Sequence, residues 1–177
     1  KLGIARTFKN IRLFGELSVK DNVLIALHNQ RRVSVFDVLF RTPKFRRDEQ
    51  LMSEKAMNLL ELFKISGKAE EKAKNLPYGE QRKLEIVRAL ASNPKLLLLD
   101  EPAAGMNPQE TKELMELIAF IRSEFKLTIL LIEHDMKLVM GICEKIMVLN
   151  YGRIIATGTP DEIRANPEVV KAYLGNN

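Results

Sequence analysis

Two short, uninterrupted apolar runs constrain this chain more than any other feature. Lys95 leads into Leu96-Leu97-Leu98-Leu99, and Leu127-Thr128-Ile129-Leu130-Leu131-Ile132 comes later. Runs this brief and this apolar read as strands buried on both faces of a parallel sheet. Between them, Asn107-Pro108-Gln109-Glu110 supplies a capping residue, a proline at the first helical position and a Glu three residues after the cap. The helix it opens carries Leu114, Leu117, Ile118, Ile121 and Phe125 on one face. Strand, helix and strand make a βαβ unit, with a right-handed crossover expected. The fold class is therefore α/β.

The rest of the chain follows the same logic. Residues 1–18 read as irregular, and Asp21 is expected to cap a short apolar helix through Leu27. Thr42-Pro43 breaks the chain. Met52, Ala56, Leu59, Leu60 and Phe63 fall at helical spacing between Asp48 and Phe63, with Gly67 as the expected stop. Leu76-Pro77-Tyr78-Gly79 is a turn that opens a helix carrying Leu84, Val87, Leu90 and Ala91, which Asn93-Pro94 stops. Past the second apolar run, Ile146–Leu149 and Arg153–Thr157 form a hairpin around Asn150-Tyr151-Gly152. Thr159-Pro160-Asp161-Glu162 is a capping box, and Asn166-Pro167 starts a last helix that Gly175 ends. Residues 10–92 are thus mostly helical and 93–177 are α/β.

Composition closes off several classes. With 46% hydrophobic and 29% charged residues, neither disorder nor a collagen-like chain fits. The longest stretch free of charge runs from Asn22 to Gln30, too short for a membrane span. Cys143 is the single cysteine, so no internal disulfide forms, and with no signal peptide visible the chain reads as cytoplasmic. His28 and Cys143 read as a surface imidazole and a small core residue. Lys1 is not Met, so the chain is expected to be a piece of something longer. The net charge of +5 specifies no partner. Arg31, Arg32, Arg41, Lys44, Arg46 and Arg47 cluster, either as a solvated face or as a contact for acidic lipid or an acidic partner. Without Trp and with few aromatics, a stacking platform for single-stranded nucleic acid is not expected.

The chemistry sits at the strand ends. In an open parallel sheet, ligands bind outside the carboxyl ends of the strands. The first run delivers Asp100 and Glu101, and the second delivers Glu133 and His134. Packing does not require acids there, and a buried carboxylate is costly unless paired or on a metal. The set suits nucleotide hydrolysis: Asp100 holding Mg²⁺ through water, Glu101 polarising the attacking water, His134 hydrogen-bonding the γ-phosphate. Gly79 opens a helix, where backbone amides attract anions.

These residues resemble a family. Leu76-Pro77-Tyr78-Gly79-Glu80-Gln81 resembles the signature helix of ABC ATPases, and Lys95 to Pro102 their Walker B strand with its catalytic Glu. Gly105-Met106-Asn107 resembles the D-loop, Ile132-Glu133-His134-Asp135 the switch-His segment, and Arg6-Thr7-Phe8 the start of the Q-loop. Ile4 to Phe8, Asn10 to Phe14, Asp100 to Pro108, His134 to Met140 and Ala172 to Gly175 are similar to ATP-binding subunits of branched-chain amino-acid importers. The resemblance implies the second part of a P-loop NTPase (RecA-like) ABC domain with an inserted helical lobe. Residues 1–9 would be the end of a core strand and the Q-loop, 10–92 the helical lobe ending in the signature helix, and 93–177 the remaining α/β core. It further implies ATP and Mg²⁺ as cofactors. Glu101 and His134 would be catalytic, with Asp100 on the metal. Tyr78, Gly79, Glu80, Asn107 and Lys9 would be at the nucleotide. Partners would be a second ATP-binding subunit and transmembrane permease subunits, with no nucleic acid. The place would be the cytoplasmic face of the cell membrane, where head-to-tail closure over two ATP molecules drives transport.

Three departures stand out. No G-x-x-x-x-G-K-[ST] occurs: the only Gly-Lys pair, Gly67-Lys68, is followed by Ala69, and Leu62 stands where the first glycine belongs. A chain starting at the Q-loop is the expected reason, and hydrolysis by the chain alone is left open. Lys9 stands at the Q-loop Gln position, where an ammonium would repel Mg²⁺ but could meet a phosphate or face solvent. Pro77 replaces the signature Ser, a variation at home in the importer group. The competing readings are a soluble ABC-type ATPase acting on nucleic acid or ribosomes, and a non-catalytic fragment.

Overall fold

The computed structural model describes residues 3–28 and 34–174, arranged as two compact units. The expected roles of Arg31, Arg32 and Gly175 lie outside the described residues.

The first unit takes Lys1–Ala104 and Lys126–Ile132. Its sheet has three parallel strands, β1 (Ile4–Arg6), β2 (Leu96–Asp100) and β3 (Thr128–Ile132), with β2 in the middle. The stretch read as irregular thus contains a strand, too short to show a period. Burial on both faces holds for neither apolar run. Leu97 and Leu99 of β2 are fully buried while Leu96 and Leu98 are partly exposed. In β3, Leu130 and Ile132 are each 54% exposed. Among the described strands β3 has a ladder on one side only, and its side chains alternate between a partly covered and an open face.

Among the described residues, the α-helices of this unit are α1 (Val19–Leu27), α2 (Val35–Leu39), α3 (Pro43–Leu62) and α4 (Tyr78–Ala91). The cap of α1 is Ser18, not Asp21: the Ser18 hydroxyl accepts from Asp21 N–H at 3.0 Å, which puts Asp21 inside the first turn. Thr42-Pro43 does not break the chain but starts α3, with Thr42 as cap and Pro43 at the first position. That helix ends at Leu62, before Gly67, because Lys64 takes a left-handed conformation (φ 58°). Val19, Val23 and Leu27 of α1, Met52, Ala56 and Leu60 of α3, and Leu84, Val87 and Leu90 of α4 form the helical core. Each of the Val, Leu and Met side chains among them stabilises the unit by about 1.5–3 kcal/mol when fully buried. Buried Asn22 ties the preceding loop to α1, accepting from Phe14 N–H and donating to the Phe14 and Ser18 carbonyls.

The second unit takes Gly105–Phe125 and Glu133–Asn177. Helix α5 (Pro108–Phe125) is capped by Asn107, whose Oδ1 accepts from the amides of Gln109 and Glu110, while Glu110 accepts from Asn107 N–H. Helix α6 (Met136–Ile142) is capped by Asp135, which accepts from two amides. Strands β4 (Ile146–Asn150) and β5 (Arg153–Gly158) pair antiparallel across Tyr151 and Gly152, both at positive φ as a type I′ turn requires. Helix α7 (Pro160–Ala165) has the expected capping box at Thr159 and Glu162, and α8 (Pro167–Val169) starts after Asn166 and runs into a π-helical turn. Val139, Ile146, Val148, Ile163 and Val169 form the core of this unit, with Cys143 against it. Cys143 is therefore core filling, and burial pushes its thiol pKa up.

Candidate functional site

Strand β2 ends at Asp100, and the next residue turns the chain sharply. Glu101 sits at φ 44°, a left-handed conformation held by its N–H on the Ile132 carbonyl at 2.9 Å. Two adjacent carboxylates thereby project from one strand tip. Each meets a cation from the segment at the end of β1. Arg6 Nη2 lies 2.7 Å from Asp100 Oδ2, and Lys9 Nζ lies 2.7 Å from Glu101 Oε2. Lys9, its side chain 59% exposed, is thus paired with the acid expected to act on water.

The backbone that carries Lys9 is held from α4. Arg82 and Glu85 are an ion pair at i, i+3, at 2.9 Å, both buried. Arg82 also donates to the Phe8 and Lys9 carbonyls, at 2.7 Å each, and to the Tyr78 hydroxyl at 3.1 Å. Glu85 accepts in addition from Arg12 N–H at 3.3 Å. The Tyr78 hydroxyl donates to the Ala104 carbonyl at 2.9 Å. The first turns of α4 thus fasten both loops that border the acids. Sequence reasoning missed Arg82. The signal was there: it stands four residues before Ile86, inside the apolar stripe of the helix, where a charge must find a partner.

Tyr78, Gly79 and Glu80 are the first three residues of α4, so their amides have no acceptor within the helix. The Glu80 carboxylate is held by Lys68 Nζ at 2.7 and 2.9 Å, and this contact raises the Lys68 pKa above the usual lysine value. The Gly67-Lys68 pair that failed as a phosphate loop is a brace for the start of α4.

A cleft of about 300 Å³ opens beside this region, lined by Arg6, Phe8, Arg12, Glu85 and Arg88 among others. The Arg6 and Arg12 guanidinium groups lie 4.9 and 4.1 Å from the Phe8 ring centre. Arg88 bonds the Arg12 carbonyl, and burial lowers its pKa, with the Glu85 charge acting the other way. The cleft is therefore cationic, with one aromatic wall.

Lys9 and Glu101 meet beside Asp100 in the first unit, which also holds Tyr78, Gly79 and Glu80 at the start of α4. Asn107 and His134 belong to the second. The His134 side chain is largely exposed, and the His134 backbone N–H donates to Glu133 Oε2 at 3.1 Å. Asn107 is bound up in its cap.

The oxygen-only donors Asp100 and Glu101 fit Mg²⁺, which takes one or two carboxylates and completes its shell with water and phosphate. Among the described residues no cluster of three or more metal-ligating side chains occurs, so a soft metal held by protein alone does not fit.

Residues 1–104 match the family model described as ABC transporter, and residues 153–177 match the one described as branched-chain amino acid ATP-binding cassette transporter. The chain is 51% identical over 175 residues to the high-affinity branched-chain amino acid transport ATP-binding protein LivG of Escherichia coli, covering 99% of this chain and 69% of that protein. It is 50% identical over 173 residues to the corresponding protein BraF of Pseudomonas aeruginosa, covering 98% of this chain and 68% of that one. Its fold is similar to the ADP conformation of MJ1267, an ATP-binding cassette of an ABC transporter. The TM-score is 0.77 at 31% identity, over 98% of this chain and 69% of that one. It is also similar to cbiO1 of Clostridium perfringens, part of an ABC transporter complex. There the TM-score is 0.78 at 27% identity, over 96% of this chain and 62% of that one.

Proposed function

The chain belongs to the ABC transporter family of ATP-binding proteins, and from that membership we propose that it serves as the ATP-hydrolysing subunit of a branched-chain amino-acid importer. The observation that carries this reading is the pair of adjacent acids, Asp100 and Glu101, at the tip of the central strand beside the start of α4. The soluble alternative, acting on nucleic acid or ribosomes, is not favoured, because the relatives just described are transport subunits.

In this reading Asp100 would hold Mg²⁺ through water, and Glu101 accepts a hydrogen bond from the attacking water and draws its proton. The chemistry Mg²⁺ would supply when held there is neutralisation of charge developing on the transferred phosphoryl group. His134 hydrogen-bonds the γ-phosphate. The orphan amides at Tyr78, Gly79 and Glu80 present a positive helix start to phosphate. Asn107 contributes from the D-loop position. The phosphate cradle G-x-x-x-x-G-K-[ST] is not among these 177 residues, which supply the acid side of the site. The functional division keeps residues 1–9 as strand end and Q-loop, 10–92 as helical lobe and 93–177 as α/β core.

ABC ATP-binding subunits dimerise and work with transmembrane permeases. Among the described residues no helix is long and apolar enough to cross a membrane, and the proposed position is peripheral, at the cytoplasmic face. The cationic cleft of Arg6, Arg12 and Arg88 is the proposed permease contact, alongside the basic stretch that includes Arg41, Lys44, Arg46 and Arg47.

The test is Mg-ATP hydrolysis and ATP-driven leucine uptake by the assembled transporter in proteoliposomes, with Glu101→Gln as the comparison. Loss of both in the variant is expected. Hydrolysis that survives Glu101→Gln would overturn the assignment of Glu101.

A further inference from the structure

The two acids at the tip of β2 are already occupied by protein cations, Arg6 on Asp100 and Lys9 on Glu101. An exposed lysine on a free loop rarely keeps one partner, because holding a long side chain in place costs entropy. Here the loop is not free. Arg82 is fully buried and fixed by Glu85, and two of its N–H groups hold the carbonyls of Phe8 and Lys9. A planar guanidinium delivers such paired bonds in a fixed geometry that an ammonium cannot reproduce. The same helix start reaches the loop beyond Glu101 through Tyr78 and Ala104.

We propose that Arg82 is a positioning residue of the hydrolytic site: through the Phe8 and Lys9 carbonyls it sets Lys9 against Glu101. The start of α4 and the availability of the acid then become one linked unit. While Arg82 holds the loop, the Lys9 ammonium competes with a divalent cation for the acid side of the site. Displacing the start of α4 draws Lys9 off and releases the carboxylate. This rests on the reading of Asp100 and Glu101 as the metal and water acids.

The test has two readouts, neither of which is turnover. Side-chain ¹⁵N NMR of the chain follows the Lys9 ammonium, which gives a sharp signal when held in an ion pair. The signal is expected in the wild type and lost in Glu101→Gln. It is also expected to be lost in Arg82→Lys, which keeps a charge for Glu85 but not the fork. Titration with Mn²⁺ alone, read by electron paramagnetic resonance, is expected to show about two- to fivefold tighter binding in Lys9→Gln, the range an exposed ion pair is worth. A similar gain is expected in Arg82→Lys and no further gain in the double variant. A Lys9 signal unchanged in folded Arg82→Lys, or equal Mn²⁺ affinity in Lys9→Gln and wild type, overturns the proposal. If Arg82→Lys fails to fold, the Lys9→Gln titration decides alone. Asp100→Asn separates the two levels. If it weakens Mn²⁺ binding while Lys9→Gln changes nothing, only the positioning role falls. If Asp100→Asn has no effect, the metal reading of the acids falls and takes this inference with it.

Discussion

Arg6 Nη2 lies 2.7 Å from Asp100 Oδ2, so the last residue of β1 reaches past its own register partner, Leu98, to the acid that ends β2. The pair joins the tips of two neighbouring parallel strands, where ligands collect in an open sheet. It is half exposed on the arginine side, and solvent screens it accordingly. Arg6→Ala is therefore expected to cost at most about 1 kcal/mol, measured by urea denaturation. A loss well above that would mean that Arg6 carries packing on Phe8 as well as charge. Asp100→Asn is expected to leave the fold intact and to reduce Mg-ATP turnover of the assembled transporter to background.

Arg82 belongs to a different energetic regime. Removing one partner of a buried ion pair strands the other, at about 3–5 kcal/mol. Arg82→Ala would strand Glu85 and release the Phe8 and Lys9 carbonyls together. A loss in that range is expected in chemical denaturation. Replacing both partners by apolar residues of similar size, Arg82→Met with Glu85→Leu, is expected to recover much of it. A single-variant loss below about 1 kcal/mol would show that the pair behaves as a surface contact.

Asn107 separates capping from chemistry. Its side chain accepts from two amides at the start of α5. Asn107→Ala is expected to cost about 1 kcal/mol, and Asn107→Asp almost nothing, since both Asn and Asp cap well. If Asn107→Asp matches the wild type in stability but lowers ATP turnover in the assembled transporter, the residue has a role beyond the cap. Equal turnover would leave it a cap alone.

What the sequence disclosed follows from how local each signal was. The caps at Asn107, Thr159 and Asn166 were legible because a cap and its helix lie within four residues. The acids at the end of β2 were legible because an apolar run that stops on Asp100-Glu101 has no packing reason to do so. The contacts that organise those acids were not, because they span the chain: Arg6 with Asp100, Lys9 with Glu101, Arg82 with Phe8. Strand β1 is only three residues long and shows no period. The half-exposed face of β3 was misread for a related reason. An apolar run looks the same whether one face or two are covered, and only the strand order decides.

The capping box of α7 gives a pH signature with a definite sign. The Thr159 backbone N–H, and secondly its hydroxyl, hold the Glu162 carboxyl below the usual carboxylate range. A group with a depressed folded pKa adds stability that is present above its unfolded value and is lost as pH falls through the folded one. The contribution is therefore full at neutral pH and disappears only under acid. An NMR titration of Glu162 is expected to show a midpoint below that of an unfolded glutamate. Thr159→Ala is expected to move it part of the way back, because the backbone bond survives. A midpoint at or above the unfolded value would contradict the box.

Glu101 tests whether its backbone conformation is a cost accepted for chemistry. An L-residue in the left-handed region is disfavoured by about 1–2 kcal/mol, and Glu101 sits there at φ 44°. Glycine relieves that strain but returns about 0.5–1 kcal/mol through the greater freedom of its unfolded chain. Glu101→Gly and Glu101→Gln both lose the Lys9 ion pair, so that contribution cancels between them. The glycine variant is therefore expected to be the more stable of the two by roughly 0.5–1 kcal/mol, measured by denaturation under one set of conditions, while neither hydrolyses ATP in the assembled transporter. The inverse order would mean that the strand-end turn is held by its neighbours at no cost to Glu101. The expected order would identify Glu101 as a position where a side chain is kept against the preference of the backbone, as an acid that must face water at a strand tip requires.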